Sequence, residues 1–385
     1  MSQAHSSFNR KTSYAGEIES SIGGVGHNVA LAALYAGANV RLVSEVGHDH
    51  GDLLDAVSNE GLELSGITTN EGKRTARYVS MNDGTGELLI ACADMDIIKD
   101  MSPKHVYDEI CRADAECVFF DGNIGNDQKM AVIRATKRKT GLETGTSTPR
   151  FVGFEPTSVP KSSELAAMSL GVYPNHDIDL ATPNIDELQT MFESFHEAGR
   201  FDVDHWFPVI DALGVNETLR LGLENLARSK PELINLIRSG IAQQALHLLP
   251  YIPNLMIKSG VLGVLSFQLL DADQIRDLAR FGPSVTNNTV GKSISTQIAY
   301  REGQLLGVLV QHYPAFDISP SEVVSVSGAG DSFCGVLVAK LAKDTSWLYT
   351  ANQQKADVID AAQLAASLAI QTLEAVNPEI RSITI

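Results

Sequence analysis

Val323-Val324-Ser325-Val326-Ser327-Gly328-Ala329-Gly330-Asp331-Ser332-Phe333-Cys334-Gly335, continued by an apolar run to Leu341, decides the fold of this 385-residue chain. A short β-branched run leads into three small residues, then a single aspartate, then apolar positions with helical spacing. Small residues let the backbone turn tightly, so the N–H groups opening the helix can converge on one anion. The helix dipole adds partial positive charge at the same point. A carboxylate beside such a pocket is what a hydroxyl needs in order to attack a phosphoryl group. Asp331 would accept the hydroxyl proton, while the amides of Gly328, Ala329 and Gly330 hold the charge that develops on the transferred group. The plainer alternative is a glycine turn capped by an aspartate, because short motifs often match by chance.

A second glycine cluster bears on that choice. Ser21-Ile22-Gly23-Gly24-Val25-Gly26-His27-Asn28 runs into Val29-Ala30-Leu31-Ala32-Ala33-Leu34, where Ala and Leu predict a helix beginning close to the glycines. A dinucleotide-binding turn would need an apolar strand immediately before the glycines. Residues 2–21 are mostly polar and supply none, so that reading is set aside.

Together, Gly-Gly-x-Gly-x-Asn near the start and Gly-Ala-Gly-Asp near the end resemble the two signatures of the PfkB (ribokinase-like) carbohydrate kinases. Intermediate blocks extend the resemblance from about Glu17 to Pro378. Thr85 to Ala91, closed by Asp94-Met95-Asp96-Ile97, is similar to the sheet segment covering the sugar site in pseudouridine kinases. Phe119-Phe120-Asp121-Gly122-Asn123-Ile124 resembles the core strand and turn of that subgroup. Phe151 to Pro156 resembles the next strand, with Glu155-Pro156 where the family more often has Asp-Pro. Thr182-Pro183-Asn184-Ile185-Asp186-Glu187 matches the family's Pro-Asn-x-x-Glu. The nearest likeness is to pseudouridine kinases, especially the kinase half of fungal bifunctional pseudouridine-metabolising proteins.

Composition fits an enzyme of this kind and excludes other classes. Thirty basic residues against 47 acidic ones give −17, with no basic block to track phosphates, so no nucleic-acid partner is expected. No apolar run reaches the roughly 18–20 residues of a membrane span, and the start lacks a signal-peptide core. A cytoplasmic location is expected. Cys92, Cys111, Cys117 and Cys334 show no metal-ligand spacing, which predicts free thiols in a reducing compartment. Cys334 is expected to be core packing.

Along the chain, β-like and helical runs alternate as in a layered α/β fold. Residues 40–44, 117–121, 151–154, 255–257 and 261–265 read as strands. Residues 30–36, 130–136, 187–192, 332–341 and 358–376 read as helices. Tyr78–Ser80 and Leu88–Cys92 flank a turn signal at Asp83-Gly84-Thr85-Gly86; with Glu17–Ile22 they would form a lid. Residues 201–249 read as a helical insertion. Beyond them, 268–280 reads as helix, 283–292 as polar loop, and 299–301 with 305–311 as a hairpin.

The resemblance implies a ribokinase-like three-layer α/β/α core with a small β-sheet lid. One domain would span residues 1–385, with lid segments near 14–24 and 75–97 and the helical insertion near 199–250. It also implies ATP and Mg2+ as cofactors. Gly24 and Asn28 would hold the ribose, and Asn123 the sugar or base. Asn184 and Glu187 would order phosphates and metal, with Glu187 the metal residue. Ser259, Gly260 and Gly263 would admit the triphosphate, the plainer reading being a glycine turn between strands, and Asn377 would approach the purine.

Two features depart from the family pattern. Relatives begin with a core strand ending in an aspartate that binds sugar hydroxyls; here polar residues occupy that place, so the first core strand is expected to be missing. A truncated gene model, or separation from a preceding glycosidase domain, would account for it. Ser325 stands where many relatives carry an aspartate for a monovalent cation, so potassium activation is not expected. The expected activity is phosphorylation of a nucleoside 5′-hydroxyl, with pseudouridine foremost. Alternatives are another nucleoside or ribose as substrate, or a catalytically silent domain. Expected partners are the nucleoside or sugar substrate, a pseudouridine-5′-phosphate glycosidase, and a second copy docking through the lid.

Overall fold

The computed structural model describes residues 20–82, 88–137, 150–214, 217–229, 231–281, 293–301, 304–350 and 353–383. The strands are β1 (Ser44–Gly47), β2 (Ile67–Asn70), β3 (Arg77–Asn82), β4 (Leu88–Asp94), β5 (Cys117–Asp121), β6 (Phe151–Glu155), β7 (Leu180–Ala181), β8 (Asn254–Lys258), β9 (Val264–Leu270), β10 (Ser293–Arg301) and β11 (Gln304–Tyr313). A seven-stranded sheet has the order β10-β11-β9-β8-β7-β6-β5. The four strands from β5 to β8 are parallel, and β9, β11 and β10 extend the sheet in antiparallel fashion. β1 and β2 form a separate parallel pair, and β3 and β4 a separate antiparallel hairpin. Among the described residues β5 pairs with β6 alone; residues 1–19, where a preceding strand would fall, lie outside them.

Alternation along the strands divides the apolar residues between two helical layers. Phe120, Val152, Phe154, Ala181, Leu255 and Ile257 pack with the helices Pro103–Ala113, Asn126–Lys137, Ile185–Glu197 and Ile241–Leu248. Phe119, Phe151, Leu180 and Met256 pack with the helices Val25–Tyr35, Ala329–Leu341 and Gln353–Ile370. Gly153 faces the second layer and is glycine for a steric reason: any side chain there would collide with the Phe119 ring. The result is the three-layer α/β/α core expected from the sequence.

Several element boundaries differ from expectation. The strand expected at 40–44 forms at Ser44–Gly47, and Arg41 makes only an isolated bridge to Glu63. Residues 261–265 are not one strand: Ser259 N–H donates to the Gly263 carbonyl at 2.8 Å, closing a turn whose glycines both have positive φ. β9 therefore starts at Val264 and runs through Leu270, displacing the helix expected from 268 to Ala272–Phe281. The helix expected at 358–376 spans Gln353–Ile370 and stops because Val324 and Ser325 N–H groups capture the Ile370 carbonyl, at 2.7 and 3.2 Å. Residues 20–22 join no strand, so of the segments expected to form a lid the described residues hold strands only in the β3–β4 hairpin. The expected turn at 83–86, the expected loop at 283–292 and residues 17–19 lie outside the described residues. The hairpin expected at 299–311 is real and longer, as β10 and β11.

Within 201–249 the chain forms the helices Trp206–Ala212, Glu217–Ser229, Ile234–Arg238 and Ile241–Leu248. Gly240, with φ +92, separates the last two of these helices. Trp206, Leu219, Leu233 and Leu246 extend the first apolar layer, and Trp206 Nε1 donates to the His247 carbonyl at 2.8 Å.

Candidate active site

The two glycine motifs meet. The helices Val25–Tyr35 and Ala329–Leu341 cross closely, and Gly335 is the reason. A Cβ there would stand 2.7 Å from the Val29 carbonyl oxygen and 2.8 Å from the Ala33 nitrogen. That contact brings Asn28, on the first helix, to Asp331, in the opening turn of the second: Asn28 Nδ2 donates to Asp331 Oδ2 at 2.8 Å. Gly328 caps the second helix with φ +77, and a side chain there would press into the backbone of Ala375. Position and conformation thus both require glycine. The N–H groups of the first helical turn have no partners within their own helix and mark the place for an anion.

Beneath Asp331 lies a row of polar side chains on the strand ends. Asp121, Glu155 and Lys258 are the last residues of β5, β6 and β8, and Thr182 follows β7. Strand alternation turns all four toward the layer that carries Asp331. Lys258 Nζ donates to both Glu155 oxygens at 2.8 Å. Thr182 Oγ1 donates to Glu155 Oε2 at 2.6 Å, and the Cys334 thiol does so at 3.0 Å. The Asp121 carboxylate accepts from the N–H of Asn123 at 2.8 Å and is also bonded by the Gly26 N–H. Ligand sites in parallel sheets form outside these carboxyl ends.

Burial pushes the Asp331 carboxyl up to about 6; Glu155 and Asp121 add to the rise, while the Asn28 bond and Lys258 oppose it. A base poised there is protonated in mild acid and ionised at neutrality. Burial likewise raises Asp121, against its Asn123 bonds and Lys161. For Lys258, burial works against the charge, but the carboxylates of Glu155 and Glu187 outweigh it and hold the amine above its usual pKa. Burial drives the Cys334 thiol well up, with Glu155 adding to it. Cys334 is buried as expected, yet it is a hydrogen-bonding member of this cluster and more than core packing.

The remaining candidates divide. Gly24, with φ +105, caps the first helix and its carbonyl accepts the Asn28 N–H at 2.9 Å. The Asn28 side chain, expected on the ribose, is bonded to Asp331. Asn123 Oδ1 accepts from Lys161. Asn184 and Glu187 form a capping box: the Asn184 N–H donates to Glu187 Oε2 at 2.8 Å and the Glu187 N–H to Asn184 Oδ1 at 2.9 Å. Ser259, Gly260 and Gly263 form the turn described above. Gly263 is needed there because a Cβ would stand 2.6 Å from the Ala315 nitrogen. Asn377 spends its side chain on structure, accepting the Glu379 N–H at 2.9 Å and donating to the Leu368 carbonyl at 3.1 Å.

Among the described residues no cluster of three or more His, Cys, Asp or Glu side chains is arranged as a metal cage. Mg2+ does not ask for one, because it keeps several waters and takes one or two carboxylates plus substrate phosphates. Glu187 fits that mode: the cap engages one of its oxygens, and burial raises its carboxyl, which a cation nearby would reverse.

Sequence reading missed Lys258 and Glu155 as a pair, and Asp121 as a site residue. The available signal was position: each is the final residue of an otherwise apolar β-run, on the same alternation phase. Lys161, beside Asn123, had no sequence signal of this kind.

The chain is 29% identical over 375 residues to a pseudouridine-metabolizing bifunctional protein of Schizosaccharomyces pombe, covering 97% of this chain and 44% of that protein. It is 33% identical over 105 residues to a pseudouridine kinase of Escherichia coli, covering 27% of this chain and 34% of that protein. The chain thus spans less than half the length of these relatives. Among solved structures, ribokinase from Cryptococcus neoformans in complex with ADP aligns with TM-score 0.55 at 16% identity, over 97% of this chain and 90% of that one, and so shares the fold. The model of the pfkB family carbohydrate kinases matches residues 2–208 and 301–381, more than half of the sequence. The chain belongs to the pfkB family of carbohydrate kinases.

Proposed function

We propose that the chain is an ATP-dependent kinase that phosphorylates the primary 5′-hydroxyl of a nucleoside, with pseudouridine the foremost acceptor. The observation that carries this reading is Asp331: a half-buried carboxyl, oriented by Asn28, in the first turn of a helix whose free N–H groups open beside it. The names of the two curated relatives favour pseudouridine. In the reaction the hydroxyl proton passes to Asp331 as the oxygen attacks the γ-phosphorus. The bond to the bridging oxygen breaks, and ADP leaves with the electron pair. The N–H groups of Gly328, Ala329 and Gly330 hold the transferred group's charge. Bound Mg2+, held through Glu187 and water, would neutralise phosphate charge. Ser259, Gly260 and Gly263 would border the triphosphate.

In this reading residues 1–385 form one kinase domain, the β3–β4 hairpin is the lid that keeps water from the transfer, and 199–250 is an insertion. The hairpin leaves Tyr78, Val79, Met81 and Ile90 exposed, which suits docking of a second copy. A pseudouridine-5′-phosphate glycosidase is the proposed partner activity. No helix among the described residues is long and apolar enough to cross a membrane, and a cytoplasmic location is part of the proposal. A coupled assay of ADP release with pseudouridine, uridine, adenosine and ribose tests it. Preference for pseudouridine supports the reading, preference for another acceptor reassigns the substrate, and inertness toward all four favours a silent domain.

A further inference from the structure

We propose that Lys258, locked on Glu155, is a positioning residue that supplies standing positive charge behind the glycine turn of the transfer site. The inference rests on the kinase reading and deepens it. Lys258 closes β8 and Glu155 closes β6, with β7 between them, so the sheet order brings together residues 103 positions apart. Both Glu155 oxygens accept from Nζ at 2.8 Å, which fixes the amine on one side. On the other side Nζ lies 3.2 Å from where a Cβ on Gly330 would stand. The ammonium is therefore packed against the backbone whose N–H groups face the anion. Glu155 is further held by Thr182 Oγ1 and the Cys334 thiol, so the pair cannot swing freely. The Lys258 side chain keeps 17% of its exposure and Glu155 only 4%. Lys258 is thus the more exposed member of the pair, and its Nζ is the group that lies against the Gly330 backbone.

A purely structural ion pair would account for the bonds but not for this asymmetry. Buried pairs contribute little net stability, and replacing both members by neutral groups is often harmless. A fixed charge beside developing negative charge is worth much more, because a site shielded from water screens it weakly and need not reorganise. As the γ-phosphoryl passes from ADP to the acceptor oxygen, its negative charge moves toward Gly328–Gly330. Lys258 transfers no proton; it acts through the turn.

The test compares the unaltered chain with Lys258→Met and with Lys258→Met/Glu155→Gln, which removes both charges and keeps an acceptor for Thr182. Thermal melts, kcat and KM for acceptor and for MgATP are measured on each. The single variant is expected to lose stability, and the double variant to recover most of it while kcat stays about 10²–10³-fold down with acceptor KM within a few-fold. A stable double variant with kcat close to the parent value overturns the proposal. If the double variant does not fold, the Lys258 Nζ resonance of 15N-lysine-labelled full-length chain decides, assigned by its loss in Lys258→Arg. A shift on adding MgADP with beryllium fluoride supports the role, and an unmoved resonance overturns it. A parent chain inert toward every acceptor removes the kinase reading, and the same resonance then judges Lys258 separately.

Discussion

Asn28 and Asp331 are 303 residues apart in sequence and 2.8 Å apart in space, joined by the Asn28 Nδ2 to Asp331 Oδ2 hydrogen bond. The two ends of the chain thus build one carboxylate site. The amide has no competing charge, so it orients Asp331 and favours its ionised form without neutralising it. Burial pulls the other way, and the balance leaves the carboxyl near 6.

Asp331→Asn should lower kcat by about 10²–10⁴-fold while MgATP binding stays within a few-fold, because the shape is kept and the base is lost. Turnover near the parent value would remove Asp331 from the mechanism. The same substitution has a stability consequence. The folded-state pKa of about 6 lies above the ordinary aspartate value of 3.8, so the folded state binds the proton more tightly than the unfolded one. Stability from this group is present below about pH 4, is lost as pH rises toward 6, and stays lost above. Asp331→Asn should therefore be more stable than the parent at pH 7, by of order 2–3 kcal/mol at most, with no gain at pH 4. Denaturant melts at both pH values measure the difference.

Asn28→Leu should move the acid limb of kcat/KM to higher pH, since it deletes the bond that favours the Asp331 carboxylate. Activity should fall more at pH 6 than at pH 8. A uniform loss at both pH values would assign Asn28 to substrate binding, the role the sequence suggested.

What the sequence could show follows from how local each signal is. The turns at Gly24–Asn28 and Gly328–Asp331 are legible because tight backbone geometry selects small residues within a few positions. The apolar runs at 117–121 and 151–154 reveal strands because that signal, too, is carried by consecutive residues. Lys258 and Glu155 are not legible as a pair, because only the order β6-β7-β8 brings them together. The Asn377 side chain, expected near a purine, follows local rules instead: an asparagine before Pro378 caps the short helix Pro378–Ser382. The end of the Gln353–Ile370 helix escaped because its stop signal is tertiary, the capture of the Ile370 carbonyl by Val324 and Ser325.

Glu187→Gln should leave the thermal midpoint almost unchanged, because glutamine serves equally at the third position of a capping box. It should raise the Mg2+ concentration needed for half-maximal rate, with a smaller loss at saturating metal. An unaltered Mg2+ dependence would leave Glu187 with the cap alone.

Gly335→Ala separates helix propensity from helix packing by its sign. In an exposed helix interior, glycine to alanine stabilises by about 1 kcal/mol. Here the added methyl would stand 2.7 Å from the Val29 carbonyl oxygen and 2.8 Å from the Ala33 nitrogen. Backbone cannot rotate away as a flexible side chain can, so the helices Val25–Tyr35 and Ala329–Leu341 must separate. Overpacking of this kind typically costs about 1–3 kcal/mol, enough to reverse the propensity gain. Separation also stretches the Asn28–Asp331 bond, which spans the same two helices one turn from Gly335. The variant should therefore melt below the parent and show the raised acid limb of Asn28→Leu. Added stability with an unchanged pH profile would mean that the two helices can be parted without consequence, and the geometric basis for joining the two motifs would fail.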